Sequence, residues 1–195
     1  QIWLPAWRLK HLALKLRKRR TGSAGGKWHV DATYIKVEGR WCYLYRAIDK
    51  AGDLVDVYLS DVRDKAAAES FFGQAVITTG IIPTQITTDK EPALYPAIKK
   101  MFSSKIKHRD SKYMNNCLEQ HHRGIKSRYK VMKGFKSLFH TLRFCTVFEE
   151  IQQFFRMKSK TRAEKKNLLV PQIQKFNDLI YQYNRLLIKS LNANW

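Results

Sequence analysis

Three short runs of β-branched and aromatic residues, separated by turns, constrain this chain more than anything else in it. Trp28–Val37 alternates loosely and reads as a strand, with Glu38-Gly39 as the turn that follows. Trp41–Asp49 (WCYLYRAID) is a second strand, Ala51-Gly52-Asp53 a second turn and Leu54–Leu59 a third strand. Tight turns of this kind join antiparallel neighbours, so the three form a meander.

Beyond the meander the pattern switches to helix and strand in alternation. Asp61 or Asp64 caps a helix running to about Thr79; Phe71, Phe72, Ala75 and Val76 mark its buried side, and Gly80 ends it. Thr84–Thr88 is a short buried strand ending at Asp89, Pro92–Phe102 a helix with Pro near its start, and Lys105–His108 a fifth strand. Asn115–Tyr129 reads as a helix weakened by Gly124. Ser137–Met157 is a longer one, with Leu138, Leu142, Cys145, Phe148, Ile151 and Phe155 at helical spacing. Three antiparallel strands followed by this alternation are the plan of an RNase H-like α/β fold: a mixed five-stranded sheet flanked by helices, here with a helical C-terminal extension. Such a plan assigns no function by itself.

Charge narrows the function. The 195 residues hold 37 Lys+Arg against 16 Asp+Glu, a net +21, which calls for a polyanionic partner, nucleic acid by default. The excess is unevenly placed: residues 1–30 carry +8, residues 31–110 only +1 and residues 111–195 the remaining +12. Gln120–Phe148 has seven bases and no acid in 29 residues. Lys15–Arg20, five bases in six residues, is equally compatible with a flexible arm and with the end of a soluble helix. No apolar run reaches the ~18 residues of a membrane span, and no signal peptide is apparent at Gln1–Ala24. Cys42, Cys117 and Cys145 fit no disulfide framework or zinc knuckle, so a cytoplasmic setting is expected.

Against so few acids, three positions stand out. Asp31 lies inside the first strand, Asp89 ends the fourth, and Glu119 is the sole acid between Asp110 and Glu149. In an RNase H-like sheet the first and fourth strands are neighbours, which sets Asp31 beside Asp89; a helix after the fifth strand can bring Glu119 over them. Three carboxylates at one point repel unless cations lie between them, and hard oxygen donors favour Mg²⁺ or Mn²⁺. Two such ions suit an in-line phosphoryl displacement. Taken singly, each acid is equally well a strand, cap or surface residue. At 100° per residue, Arg123 and Lys126 share the helical face of Glu119, with Leu118 and Ile125 turned elsewhere. That is an acid followed by two phosphate-holding cations, or else a surface ion pair.

At these residues the sequence resembles a known family. The runs WHVDATYIKVEGRWCYLYRAIDK (28–50), ITTDKEPALYPAI (86–98), HRDSKYMNNCLEQHHRGIKSR (108–128) and MKGFKS (132–137) are similar to bacterial insertion-sequence transposases of the insertion-sequence-six group, in the DDE superfamily. The resemblance covers about 27–160. It implies that Asp31, Asp89 and Glu119 are the catalytic triad, holding two Mg²⁺ or Mn²⁺ ions, and that Lys126 is the family's basic residue seven after its glutamate. Arg123, Lys90, Arg128, Lys130 and Lys133 are further candidates for DNA contact. The implied reaction is strand cleavage at transposon ends followed by attack of a 3′-hydroxyl on target DNA. The implied partners are the terminal inverted repeats, target DNA and a second copy of the chain, on the bacterial nucleoid and without a membrane.

The sequence departs from the family in three places. Ala32 stands where members usually carry Glu after the first acid. The 29 residues between Asp89 and Glu119 are fewer than is common in the family. Residues 1–26 have room for one basic helix, a remnant of a DNA-binding region and not the usual helix-turn-helix. The division expected is therefore 1–26, a catalytic domain at 27–160, and a basic linker with an amphipathic helical tail at 161–195. The alternative to an active transposase is a transposition-defective DNA-binding fragment or decayed copy. In the tail, Leu169, Ile173, Phe176, Ile180, Tyr183 and Leu187 form a heptad stripe. Under three heptads favours a helix packed on its own domain over a self-association surface.

Overall fold

The structure is a computed structural model that describes residues 13–18, 20–89, 92–103, 106–111, 123–129, 134–156 and 169–192. Its strands are β1 (Lys27–Val37), β2 (Arg40–Asp49), β3 (Leu54–Ser60), β4 (Gln85–Thr88) and β5 (Lys107–Asp110). Its helices are α1 (13–18), α2 (Lys65–Thr79), α3 (Leu94–Phe102), α4 (123–129), α5 (Leu138–Phe155) and α6 (Leu169–Asn192). The strands make one sheet in the order β3-β2-β1-β4-β5. β1–β2 and β2–β3 are antiparallel, while β1–β4 and β4–β5 are parallel. This is the mixed sheet and the strand order of an RNase H-like fold.

Local chemistry fixes most boundaries. Glu38 and Gly39 both have positive φ, 51° and 78°, as a two-residue type I′ hairpin turn requires, and glycine meets that demand without a Cβ clash. Asp64, not Asp61, caps α2: its carboxylate accepts the N–H of Ala67. Gly80 closes the helix in the left-handed conformation, its N–H donating to the Val76 carbonyl at 2.7 Å. Two expected boundaries move. α3 begins at Leu94, with Pro92 in the turn before it and Pro96 in its first turn, where a missing N–H costs no helical bond. β5 spans Lys107–Asp110, not Lys105–His108, because its neighbour is Gln85–Thr88 in parallel register.

Strand alternation splits the core between the two faces of the sheet. Trp28, Val30, Tyr45, Ala47 and Val55 pack under α2 and α3 with Phe71, Phe72, Leu94 and Ile98. Ile35, Val37, Cys42, Leu44, Val57 and Leu59 pack under α4 and α5 with Ile125 and Cys145. Gly124 belongs to that contact: a Cβ there would lie 3.2 Å from the Phe148 ring, so glycine lets α4 settle on α5.

The most buried side chains of α5 include acids that the apolar spacing does not reveal. Leu138 is exposed, whereas Thr141, Cys145, Glu149 and Glu150 are buried. Glu149 accepts two bonds from Arg46 of β2, at 2.9 and 3.0 Å, with both side chains 2% exposed. Glu150 forms a two-pronged pair with Arg20 at 2.6 and 2.8 Å. Arg17 of α1 pairs with Asp56 of β3. The basic segment Lys15–Arg20 is thus part of the folded unit, and two of its cations have structural partners.

The tail helix α6 does meet the domain, but not through the described side chains of its heptad stripe. Leu179 packs on Leu16 with Ile151, Phe154 and Phe155, and Lys175 Nζ donates to the carbonyls of Phe154 and Arg156 at the end of α5. Ile173, Phe176 and Ile180 are exposed. The docked side lies about 110° around the helix from the stripe at 100° per residue.

Removing one member of a buried ion pair leaves an uncompensated charge, whereas replacing both by apolar residues can be neutral. Glu149→Leu is therefore expected to lower unfolding free energy by ~3–5 kcal/mol. The double variant Arg46→Met/Glu149→Leu should recover most of that loss. Urea denaturation followed by circular dichroism checks both.

Candidate active site

Register builds the centre of the site. Trp28 pairs with Ile86 and His29 with Thr87 across β1 and β4. The same register carried two residues on, past the last paired residues, brings Asp31 and Asp89 side by side, where their carboxyl groups share a hydrogen bond. Trp28, Val30 and Ile86 face the α2–α3 core, so the alternation turns His29, Asp31, Thr87 and Asp89 to the face covered by α4 and α5. Asp31 is 7% exposed, and one of its oxygens accepts the Ala32 N–H at 2.7 Å. Asp89 is half-buried, and its Oδ1 is a buried oxygen without a hydrogen-bond donor.

The electrostatics match that geometry. Burial is the main cause that raises the pKa of the Asp89 carboxyl above the ordinary carboxylate range; the charge of Asp31 and a side-chain hydrogen bond with it add to the rise. Arg63, in the loop after β3, pulls the other way. Its guanidinium also lies 5.2 Å from the Tyr34 ring and 5.8 Å from the Tyr43 ring. Sequence reasoning did not single out Arg63, a lone cation among Asp61 and Asp64 with no motif to mark it. Thr88 fixes the end of β4 from beside Asp89. Its hydroxyl donates to Asp110 at 3.2 Å and bonds His108 Nε2 at 3.0 Å, with Tyr95 packed against the His108 ring.

A hard divalent cation fits this pair. The donors are carboxylate oxygens, one of them buried and unbonded, and their mutual repulsion is relieved by positive charge between them. Glu119 lies outside the described residues, as do Lys90, Lys130 and Lys133. Among the described residues no third acid joins Asp31 and Asp89 in a metal cluster. Arg123, Lys126 and Arg128 are exposed on α4, while Ile125 of the same helix is buried, as its helical phase requires. Arg128 stacks on Phe148 at 4.5 Å and donates to the Gly124 carbonyl at 3.1 Å.

The comparisons agree with this geometry. Residues 25–158 match a family model described as a DDE domain. The chain belongs to the DDE transposases, in the insertion-sequence-six group. It is 38% identical over 130 residues to the transposase for insertion sequence-like element IS431mec of Staphylococcus aureus, covering 65% of this chain and 58% of that protein. The same figures hold for the Staphylococcus aureus transposase of insertion sequence element IS257 in transposon Tn4003. The chain thus spans little more than half the length of these relatives. Among solved structures, the HTLV-2 integrase catalytic core in complex with magnesium superposes in its dimeric form with a TM-score of 0.54 at 23% identity, over 72% of this chain and 96% of that one. Its trimeric form gives 0.52 at 19%, over 73% and 93%. That likeness is one of fold. No helix among the described residues is long and apolar enough to cross a membrane.

Asp89 titrates with a sign that can be tested. A carboxyl whose pKa is raised on folding favours the folded state fully below its unfolded pKa, and that contribution is lost as pH rises through the folded value. In EDTA at neutral pH, Asp89→Asn should therefore raise the melting temperature by a few degrees. It should also reduce the gain that the native chain shows on mild acidification. Thermal melts at the two pH values read both effects.

Proposed function

We propose that the chain carries the catalytic domain of a transposase that cleaves DNA strands at insertion-sequence ends and transfers the freed 3′-hydroxyl into target DNA. The observation that carries this reading is the placement of Asp31 opposite Asp89, two buried or half-buried carboxylates on one face of the sheet. Glu119 is assigned as the third ligand. In support, Ile125, six residues after it, is anchored against the sheet face that carries Asp31.

These three acids would hold two Mg²⁺ or Mn²⁺ ions, which supply charge neutralisation at the phosphate and activation of the attacking oxygen. The chain's own residues do the rest. Arg123, Lys126 and Arg128, exposed along α4, hold strand phosphates beside the acids, as Lys90, Lys130 and Lys133 are also assigned to do. Thr88, His108 and Asp110 keep the end of β4 in place, and Arg63 helps Asp89 to stay ionised. The assigned division is 27–160 for catalysis, 1–26 as a basic DNA-binding segment that also packs on this domain through Arg17 and Arg20, and 161–195 as linker and helical tail. The partners are terminal inverted repeats, target DNA and a second copy of the chain, on the bacterial nucleoid.

The test is a strand-nicking assay on labelled insertion-sequence ends, with the native chain and Asp89→Asn. Nicking is expected with Mg²⁺ or Mn²⁺, not in EDTA, and not by the variant. Equal activity in both proteins, or none in either, would overturn the active-enzyme reading; DNA binding that persists without nicking would favour the transposition-defective alternative. Binding should also weaken with salt at a log–log slope of about −0.9 per phosphate contact. Lys126→Ala should make that slope shallower by about one unit, as fluorescence anisotropy across a salt series would show.

A further inference from the structure

β1 is much longer than its neighbour β4. Their pairing runs from Lys27 to His29, and Phe135 adds a single bridge at Val37. Between these points, Tyr34–Lys36 border an open groove of about 650 Å³ that α4 closes with Ile125, Lys126 and Tyr129. Trp41 and Tyr43 of β2 complete its wall. The Trp41 side chain is 60% exposed and Tyr34 46%.

Cross-strand packing explains part of this aromatic cluster. Tyr34 pairs directly with Tyr43, their rings 5.4 Å apart, and Trp41 meets Tyr34 edge-on at 6.2 Å. It does not explain why the largest ring is left mostly in water. The charges around the cluster are positive. Lys36 Nζ lies 5.7 Å from the Trp41 ring, Arg63 covers Tyr34 and Tyr43, and Lys126 forms part of the wall. No carboxylate lines the groove among the described residues.

We propose that this groove takes an unpaired nucleotide of the DNA strand, with its base stacked on Trp41 and its phosphates held by Lys36, Arg63 and Lys126. Exposed aromatic faces interleaved with cations are the chemistry that holds single-stranded nucleic acid, since every base has a π-face and every nucleotide a phosphate. The groove follows the edge of β1 that β4 leaves unpaired: alternation turns Tyr34, Lys36, Trp41 and Tyr43 to the α2–α3 face, while Ile35 and the α4 residues stand on the face of Asp31. A nucleotide that reaches Trp41 from the acids therefore turns over this edge, out of the duplex stack. The inference rests on the proposed DNA-processing function and adds to it a site for strand opening.

The experiment uses the full chain in EDTA, so that no cleavage occurs. It compares a fully paired insertion-sequence end with the same end carrying an unpaired terminal stretch, with 2-aminopurine in that stretch. The native chain should bind the unpaired end more tightly and change the 2-aminopurine emission on binding. Trp41→Leu, which keeps an apolar side chain but no π-face, should bind the unpaired end about tenfold more weakly, the change expected from losing one stacked base. It should bind the paired end within twofold of the native chain, with an unchanged melting temperature. Trp41→Phe should restore most of the preference. If the native chain binds both ends equally, or Trp41→Leu keeps the native preference, the groove assignment falls alone. If the chain binds neither end, the proposed function falls with it.

Discussion

The opposition of Asp31 and Asp89 is the constraint from which the rest of this structure follows. Two carboxylates held side by side repel by roughly 1–4 kcal/mol at 4 Å separation, depending on how far water screens them. A flexible segment would relax by moving them apart. Here Asp31 sits inside the central strand of a five-stranded sheet, and β4 is pinned beside it between β1 and β5. The bonds of Thr88 to His108 and Asp110 hold the residue next to Asp89. Rigidity thus preserves an arrangement that its own electrostatics disfavour, and the raised pKa of Asp89 is the trace of that conflict.

The same economy of charge appears behind the site. Arg46 lies directly across from Asp31 in the β1–β2 pairing, yet its guanidinium is held by Glu149 of α5. The neighbouring Glu150 draws in Arg20 from the segment before β1, and Arg156 pairs with Asp53 after the second hairpin. α5 is therefore fastened to the meander by buried or partly buried ion pairs as much as by its apolar face. Part of the net +21 consequently has internal partners: Arg17, Arg20, Arg46 and Arg156 all answer acids of the domain. The cations of α4 are different, being exposed and without carboxylate partners among the described residues.

Sequence legibility followed the strength of local signals. The meander was readable because Glu38-Gly39 and the alternating apolar residues each demand one geometry, and α2 because Asp64 and Gly80 punctuate it. β5 was misplaced by two residues because Lys107–Asp110 is a short, largely exposed edge strand of polar residues with no alternation to detect. The tail showed a clear apolar stripe, but a periodic pattern shows which residues share a face, not what that face meets. Lys175 capping the end of α5 chose another side of the helix. The buried glutamates of α5 escaped notice for a related reason: charge is read as exposure until a partner about 100 residues away in sequence is known. At the site, strand order made the adjacency of Asp31 and Asp89 legible, while Arg63 had no signature outside the folded chain.

Ala32 bears on what the departures from the family pattern mean. Alternation along β1 turns it away from Asp31, and it packs against the apolar cluster beneath α2 and α3, opposite Tyr45. The position where the resemblance implies a Glu is thus on the far face of the sheet from the paired acids. An acid there would be partly buried against that cluster and would need a partner or water to offset its desolvation. The alanine removes that cost and leaves the opposed carboxylates untouched, so the substitution alters the support behind the site and not the donors within it.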